Sequence, residues 1–158
     1  WDGEVSLYTK PKRDVLDEFV MVAKKFPADH DVRITADWPL IIPEVVDYVV
    51  ASHLLSGADY TYNHNDIDGD MVGDGQDVEL VNYETLMKTW ALTWWLGSKG
   101  QQDDSYDKYD REHVTPFIKR HPELFKINKV QPYAWEGKSL NEKADYNLLC
   151  SIYSKYAL

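Results

Sequence analysis

The chain has 158 residues, of which 44% are hydrophobic and 28% charged, the balance of one folded domain and not of a disordered segment. Its 27 acidic and 17 basic side chains give a formal net charge of −10, which argues against nucleic acid as a partner. No apolar run approaches the roughly 20 residues of a membrane span, the first residues carry no signal-peptide pattern, and Cys150 has no second cysteine to pair with.

In chain order, the first periodic segment is Arg13–Phe26, where Val15, Leu16, Phe19, Val20, Ala23 and Phe26 make one apolar helix face behind a capping Asp14. Pro27 ends it. The β-branched stretch 31–36 predicts a strand, and 37–42 leaves it as a loop. Pro43 suits the first turn of a helix that turns Val45, Val46, Val49, Val50 and Leu54 inward and stops at Gly57. Residues 58–63 read as a second strand, 64–76 as an acidic loop broken by glycines, and 78–81 as a third strand. Asn82 is placed to cap a helix over 83–96 that stacks Leu86, Trp90 and Trp94. The polar stretch 101–110 predicts irregular chain. A short helix over 116–120, a strand near 125–130 and a final helix over 143–156 complete the pattern, with Cys150 as a small buried side chain. Strands alternating with helices predict an α/β sheet with helices on both faces, whose ligands lie beyond the carboxyl ends of strands.

Asp37 stands at such a strand end, on a loop stiffened by Trp38-Pro39, where a carboxylate is able to meet a divalent cation. Mg²⁺ favours one or two carboxylates together with substrate phosphates. The alternative is an Asp that caps a turn. In the loop 66–77, Asp66, Asp68 and Asp70 match positions 1, 3 and 5 of a Ca²⁺ loop, but Met71 replaces the required glycine and Asp77 the terminal Glu. A solvated loop is the plainer reading. Arg111-Glu112-His113 precedes a helix start, where it serves either a ligand or the loop itself. No catalytic triad order, zinc spacing or Walker-type glycine loop is present in the sequence.

Four segments occur in one order: RITADWPLIIPEVVD at 33–47, ADYTYN at 58–63, GQDVEL at 75–80 and REHVTPFI at 111–118. That series resembles the cytidylyltransferases of spore-coat polysaccharide type, relatives of the CMP-Kdo and CMP-sialic acid synthetases. Their signatures read approximately T-G-D-x-P-L-I, D-Y-x-x-N, G-x-D-x-E and E-H-V-T-P, and RDVLDEF at 13–19 looks like the helix before the first. The resemblance covers nearly the whole chain. It implies a three-layer α/β/α nucleotide-diphospho-sugar transferase-like fold with a mainly parallel mixed sheet.

It also implies transfer of CMP from CTP to a sugar hydroxyl, with Mg²⁺ as cofactor, for surface polysaccharide biosynthesis in the cytoplasm. The implied partners are CTP and a small acidic or deoxy sugar, with no membrane and with a homodimer as one possible state. By matched position, Asp37 would bind the metal, and Arg33, Asp77, Glu79, Arg111 and His113 would line the substrate pocket. Two departures accompany the match. The family's basic R-x-x-S-x-R-L-P-G-K loop has no counterpart before Arg13, so residues 1–158 are expected to form one domain that is the C-terminal part of a longer one, inactive by itself. Where the family carries a metal-binding Asp before its last helix, this chain has Asn141, a neutral oxygen donor. The alternative reading is a non-catalytic relative that binds a sugar or nucleotide.

Overall fold

The computed structural model describes residues 14–64, 75–98, 104–131 and 143–156. Its elements are α1 (Val15–Lys25), β1 (His30–Arg33), α2 (Pro43–Ser56), β2 (Tyr60–Tyr62), β3 (Glu79–Asn82), α3 (Tyr83–Ser98), α4 (Asp104–His113), α5 (Pro116–Arg120), β4 (Ile127–Lys129) and α6 (Lys143–Tyr156). The four strands form one sheet in the order β1-β3-β2-β4. The described residues divide into two units, one holding those up to Asp31 and Val81–Ile127, the other holding Val32–Leu80 and those from Asn128 onward.

In the unit that contains α1, Asp14 Oδ1 accepts from the Asp17 N–H at 3.0 Å and so satisfies a donor that the first helical turn leaves open. The helix then buries Leu16, Val20 and Ala23, a single line at four- and three-residue spacing. α1 packs against α3 and α4. The buried side of α3 is a threonine stripe, Thr85, Thr89 and Thr93, joined by Leu86. Thr93 Oγ1 returns its hydrogen bond to the Thr89 carbonyl of the preceding turn at 3.0 Å. Trp94, expected to stack inward, is 64% exposed. Trp90 works at its edge, with Nε1 donating to Asp17 Oδ1 at 3.1 Å and Lys24 Nζ lying 4.7 Å from the ring centre. A count of apolar period passes over such a stripe because threonine scores as polar, although its methyl group packs.

The polar segment expected to be irregular contains α4, which packs against α1, α3 and α5. Among its described side chains the buried one is Asp110, paired with Arg120 of α5. Tertiary contact, not apolar periodicity, holds this helix. Between α4 and α5 the backbone of Val114 takes φ 72°. For a β-branched residue that conformation is strained, at a cost of order 1–3 kcal/mol, and the side chain offsets it by being 1% exposed.

In the other unit, α2 begins at Pro43 and ends on Gly57 at φ 57°, the left-handed cap that glycine adopts without penalty. Val45 and Val49 join Val78, Leu80 and Val130 in a core flanked by Ile41, Ile42, Val46 and Val50. Leu54, expected inside, is 58% exposed. The inward line runs Val45, Val49, His53, and a residue one step further on points about 100° away. His53 is accepted in the interior because Nδ1 pairs with Thr61 Oγ1 at 2.9 Å. All three residues of β2 are buried, as in a strand covered on both faces. Cys150 on α6 is exposed, contrary to expectation.

Candidate active site

β1 delivers Arg33 and β3 delivers Glu79 to one place. Arg33 Nη1 donates to Glu79 Oε2 at 2.6 Å, and the side chains are 17% and 5% exposed. Tyr60 of β2 donates its hydroxyl to the other oxygen, Oε1, at 2.5 Å, and His64 Nε2 lies 3.5 Å from it. The carboxylate of Glu79 is thus charge-compensated and directed by three side chains, the condition under which a buried charge is tolerated. An aromatic ladder backs the cluster: Tyr60 stacks on Tyr62 at 5.4 Å, and Tyr62 meets the His64 ring at 4.8 Å. Lys129 Nζ lies 5.6 Å from the Tyr62 ring centre.

The loop that follows β1 is built from two successive turns. Trp38 N–H donates to the Thr35 carbonyl and Ile41 N–H to the Trp38 carbonyl, each at 3.3 Å. Asp37 sits half-exposed in the first of them. The far end of the loop is gripped by a buried amide: Gln76 Nε2 donates to the Leu40 carbonyl at 2.8 Å, and its Oε1 accepts from Ile42 N–H at 2.9 Å. Gln76 is itself fixed by Asn63, whose Nδ2 donates to the Gln76 carbonyl at 2.9 Å while Oδ1 accepts from Val78 N–H at 2.7 Å. Two side-chain amides therefore connect the loop after β1, the end of β2 and the turn before β3, and they hold Asp77 between Gln76 and Val78.

Of the residues read from sequence, Arg33 and Glu79 touch, and Asp37 and Asp77 lie in the same unit on loops joined by Gln76. Arg111 and His113 belong to the other unit. There, Arg111 Nε donates to Asp14 Oδ2 at 2.7 Å, Nη1 reaches Thr93 Oγ1 at 3.4 Å, and the guanidinium lies 5.4 Å from the Trp94 ring centre. His113 is exposed, its ring 4.3 Å from that of Tyr109. Asn141 lies outside the described residues, as do residues 66–74 of the loop 66–77, the Ca²⁺-loop candidate read as a solvated loop. Among the described residues no three His, Cys, Asp or Glu side chains gather as a metal cluster. A cavity of about 520 Å³ lined by His30, Asn82 and Glu84 contains none of the residues read from sequence.

Tyr60, Asn63, His64 and Gln76 were not singled out from sequence. Tyr60 and Asn63 stand inside the ADYTYN segment, so their position was marked but their partners were not. Gln76 carries no periodic signal at all.

A family model described as cytidylyltransferase matches residues 2–155. The chain belongs to the cytidylyltransferase family. It is 33% identical over 128 residues to an uncharacterized protein of Methanocaldococcus jannaschii, covering 81% of this chain and 45% of that one. It is 27% identical over 149 residues to the spore coat polysaccharide biosynthesis protein SpsF of Bacillus subtilis, covering 89% of this chain and 54% of that one. Its fold matches a cytidylyltransferase from Leptospira borgpetersenii with a TM-score of 0.70 at 23% identity, over 91% of this chain and 56% of that chain. The mixed α/β architecture with its four-stranded sheet is the fold of this nucleotide-sugar transferase class. The chain spans about half the length of the curated relatives it matches.

Proposed function

We propose that this cytidylyltransferase-family chain serves the transfer of CMP from CTP to a sugar hydroxyl in surface polysaccharide biosynthesis. The observation that carries the reading is the position of Asp37 in the loop between β1 and α2, in the same unit as the Arg33–Glu79 pair, with the far end of that loop braced against the turn that carries Asp77. In the reaction the sugar hydroxyl oxygen forms a bond to the α-phosphorus of CTP. The bond from that phosphorus to the β-phosphate bridging oxygen breaks, pyrophosphate leaves with its electron pair, and the hydroxyl proton passes to solvent. Such chemistry depends on positioning and charge neutralisation more than on covalent work by side chains.

Mg²⁺ would neutralise triphosphate charge. Among the described residues Asp37 fits it, since it offers a hard, half-exposed carboxylate oxygen and substrate phosphates would complete the shell. Asn141 is assigned to the metal by motif position alone. Arg33, with its fork oriented by Glu79, is assigned to substrate oxygens, and Asp77 to sugar hydroxyls. Arg111 and His113 are assigned to substrate binding by motif position alone. The sugar is small and acidic or deoxy in this reading, and the setting is cytoplasmic.

A second reading, a non-catalytic relative that keeps the nucleotide or sugar site, is favoured by Asn141, a neutral group where an acidic ligand is expected. Calorimetric titration of CTP with Mg²⁺ into this chain and into Asp37→Ala tests the first reading, followed by a pyrophosphate-release assay over a panel of sugars. Binding that needs both the metal and Asp37, with pyrophosphate released, is the expected result. Binding without turnover on any sugar selects the second reading, and binding indifferent to Asp37 removes the site.

A further inference from the structure

Two hydrogen bonds hold the far end of the Asp37 loop, Gln76 Nε2 donating to the Leu40 carbonyl and Ile42 N–H donating to Gln76 Oε1, so one side chain serves both ends of the grip. We propose that Gln76 is a positioning residue for metal binding: by clamping Leu40 and Ile42 it sets where Asp37 stands relative to the turn bearing Asp77. This rests on the reading of Asp37 as a metal ligand. The physical case has three parts. Gln76 is wholly buried, so its amide bonds are made away from water, and losing either leaves a backbone group unsatisfied. Its carbonyl is held by Asn63, so the clamp is anchored to the end of β2 and does not drift with the loop. The clamped carbonyl of Leu40 stands three residues after Asp37, across the Trp38-to-Ile41 turn, so a shift at Leu40 is transmitted to the carboxylate through a short stiff path containing Pro39.

Groups that orient a metal ligand from outside the coordination sphere alter affinity by about 10–100-fold when removed. The test is Mn²⁺ affinity in the presence of CTP, read from the electron paramagnetic resonance signal of free Mn²⁺, with thermal unfolding run on every variant. Gln76→Leu loses both hydrogen bonds and is expected to weaken Mn²⁺ binding by about tenfold or more. Gln76→Glu keeps the acceptor for Ile42 but lacks the donor for Leu40, and is expected to fall between Gln76→Leu and the wild-type protein.

His53→Leu supplies the structural control. It breaks the His53–Thr61 pair at the other end of α2, some 16 Å along the helix from Ile42 by the ordinary rise per residue, and should lower the melting temperature while leaving Mn²⁺ affinity within about twofold. Gln76→Leu with unchanged Mn²⁺ affinity overturns the proposal, as does an equal weakening in His53→Leu. If Gln76→Leu does not fold, Gln76→Glu decides alone, and wild-type affinity there counts against the clamp. Asp37→Ala separates the two layers. Unchanged Mn²⁺ affinity in Asp37→Ala removes the metal reading itself, whereas loss in Asp37→Ala without loss in the Gln76 variants removes only the positioning role.

Discussion

Glu79 Oε1 accepts the hydroxyl of Tyr60 while its second oxygen takes the guanidinium of Arg33, so one carboxylate links three adjacent strands, β1, β3 and β2. Removing Arg33 alone leaves that carboxylate buried without a full countercharge, which in enclosed pairs costs about 3–5 kcal/mol; the partial exposure of Arg33 brings the expectation down to about 2 kcal/mol. Arg33→Met should therefore be clearly destabilised, and the double variant Arg33→Met/Glu79→Leu should recover at least half of the loss. Urea unfolding of wild type, Arg33→Met, Glu79→Leu and the double variant closes the cycle. Additive losses would mean that the two side chains do not depend on each other.

Val114 provides a test in which the usual order of two substitutions is reversed. At most sites glycine is less stable than alanine by roughly 0.5–1 kcal/mol, because of the backbone freedom it loses on folding. At φ 72° alanine carries the left-handed penalty that glycine does not, about 1–2 kcal/mol. Both variants lose the buried isopropyl group, so they share that cost. Val114→Gly is expected to unfold at a higher urea concentration than Val114→Ala. The opposite order would show that the backbone relaxes out of this conformation once the side chain is shortened.

The helices with strong end signals were legible from sequence: Asp14 caps α1, Pro43 and Gly57 bracket α2, and α5 and α6 run over the expected residues. What was not legible depends on partners distant in the chain. His53 replaces Leu54 on the inward face because Thr61 waits eight residues on, and no helical period reveals that. α4 has no apolar stripe, and its buried Asp110 makes sense only beside Arg120. Within the candidate site, Arg33, Asp37, Asp77 and Glu79 were marked by motif order, but the Arg33–Glu79 contact spans 46 positions and follows from strand register, which the sequence does not display. Gln76 was passed over because its function is to hold main chain, and a lone glutamine between Gly75 and Asp77 gives no sign of that.

Asp14 uses its two oxygens for different tasks, Oδ1 for the Asp17 N–H and Oδ2 for Arg111. Asp14→Ser keeps a capping oxygen and loses the charge partner, whereas Asp14→Ala loses both. The gap between the two variants measures the cap and is expected at about 1 kcal/mol. The step from wild type to Asp14→Ser measures the pair with Arg111, and it should shrink in high salt because Asp14 is partly open to solvent. Equal stability of the Ser and Ala variants would remove the capping argument, and a salt-independent step would remove the electrostatic one.

Asp31 is the clearest pH-dependent element among the described residues. Burial lifts its carboxyl above the ordinary 3.8, and the neighbouring His30 pulls it part of the way back. Its Oδ2 is enclosed without a hydrogen-bond partner among the described residues, which accounts for the unfavourable burial of the charge. An acid whose native value is raised holds its proton more tightly when folded, so the native state binds more protons than the unfolded chain between 3.8 and the raised value. Through that window stability falls as pH rises, and above it the ionised carboxylate leaves a fixed penalty. Asp31→Asn removes the ionisation while keeping the shape. Relative to wild type, its urea midpoint should be most favourable near neutral pH, should lose that advantage as pH falls through the window, and should reach a constant offset below it. A difference between the two proteins that does not change with pH would show that the Asp31 carboxylate finds solvent in the folded chain, and a difference that grows on acidification would reverse the assigned sign.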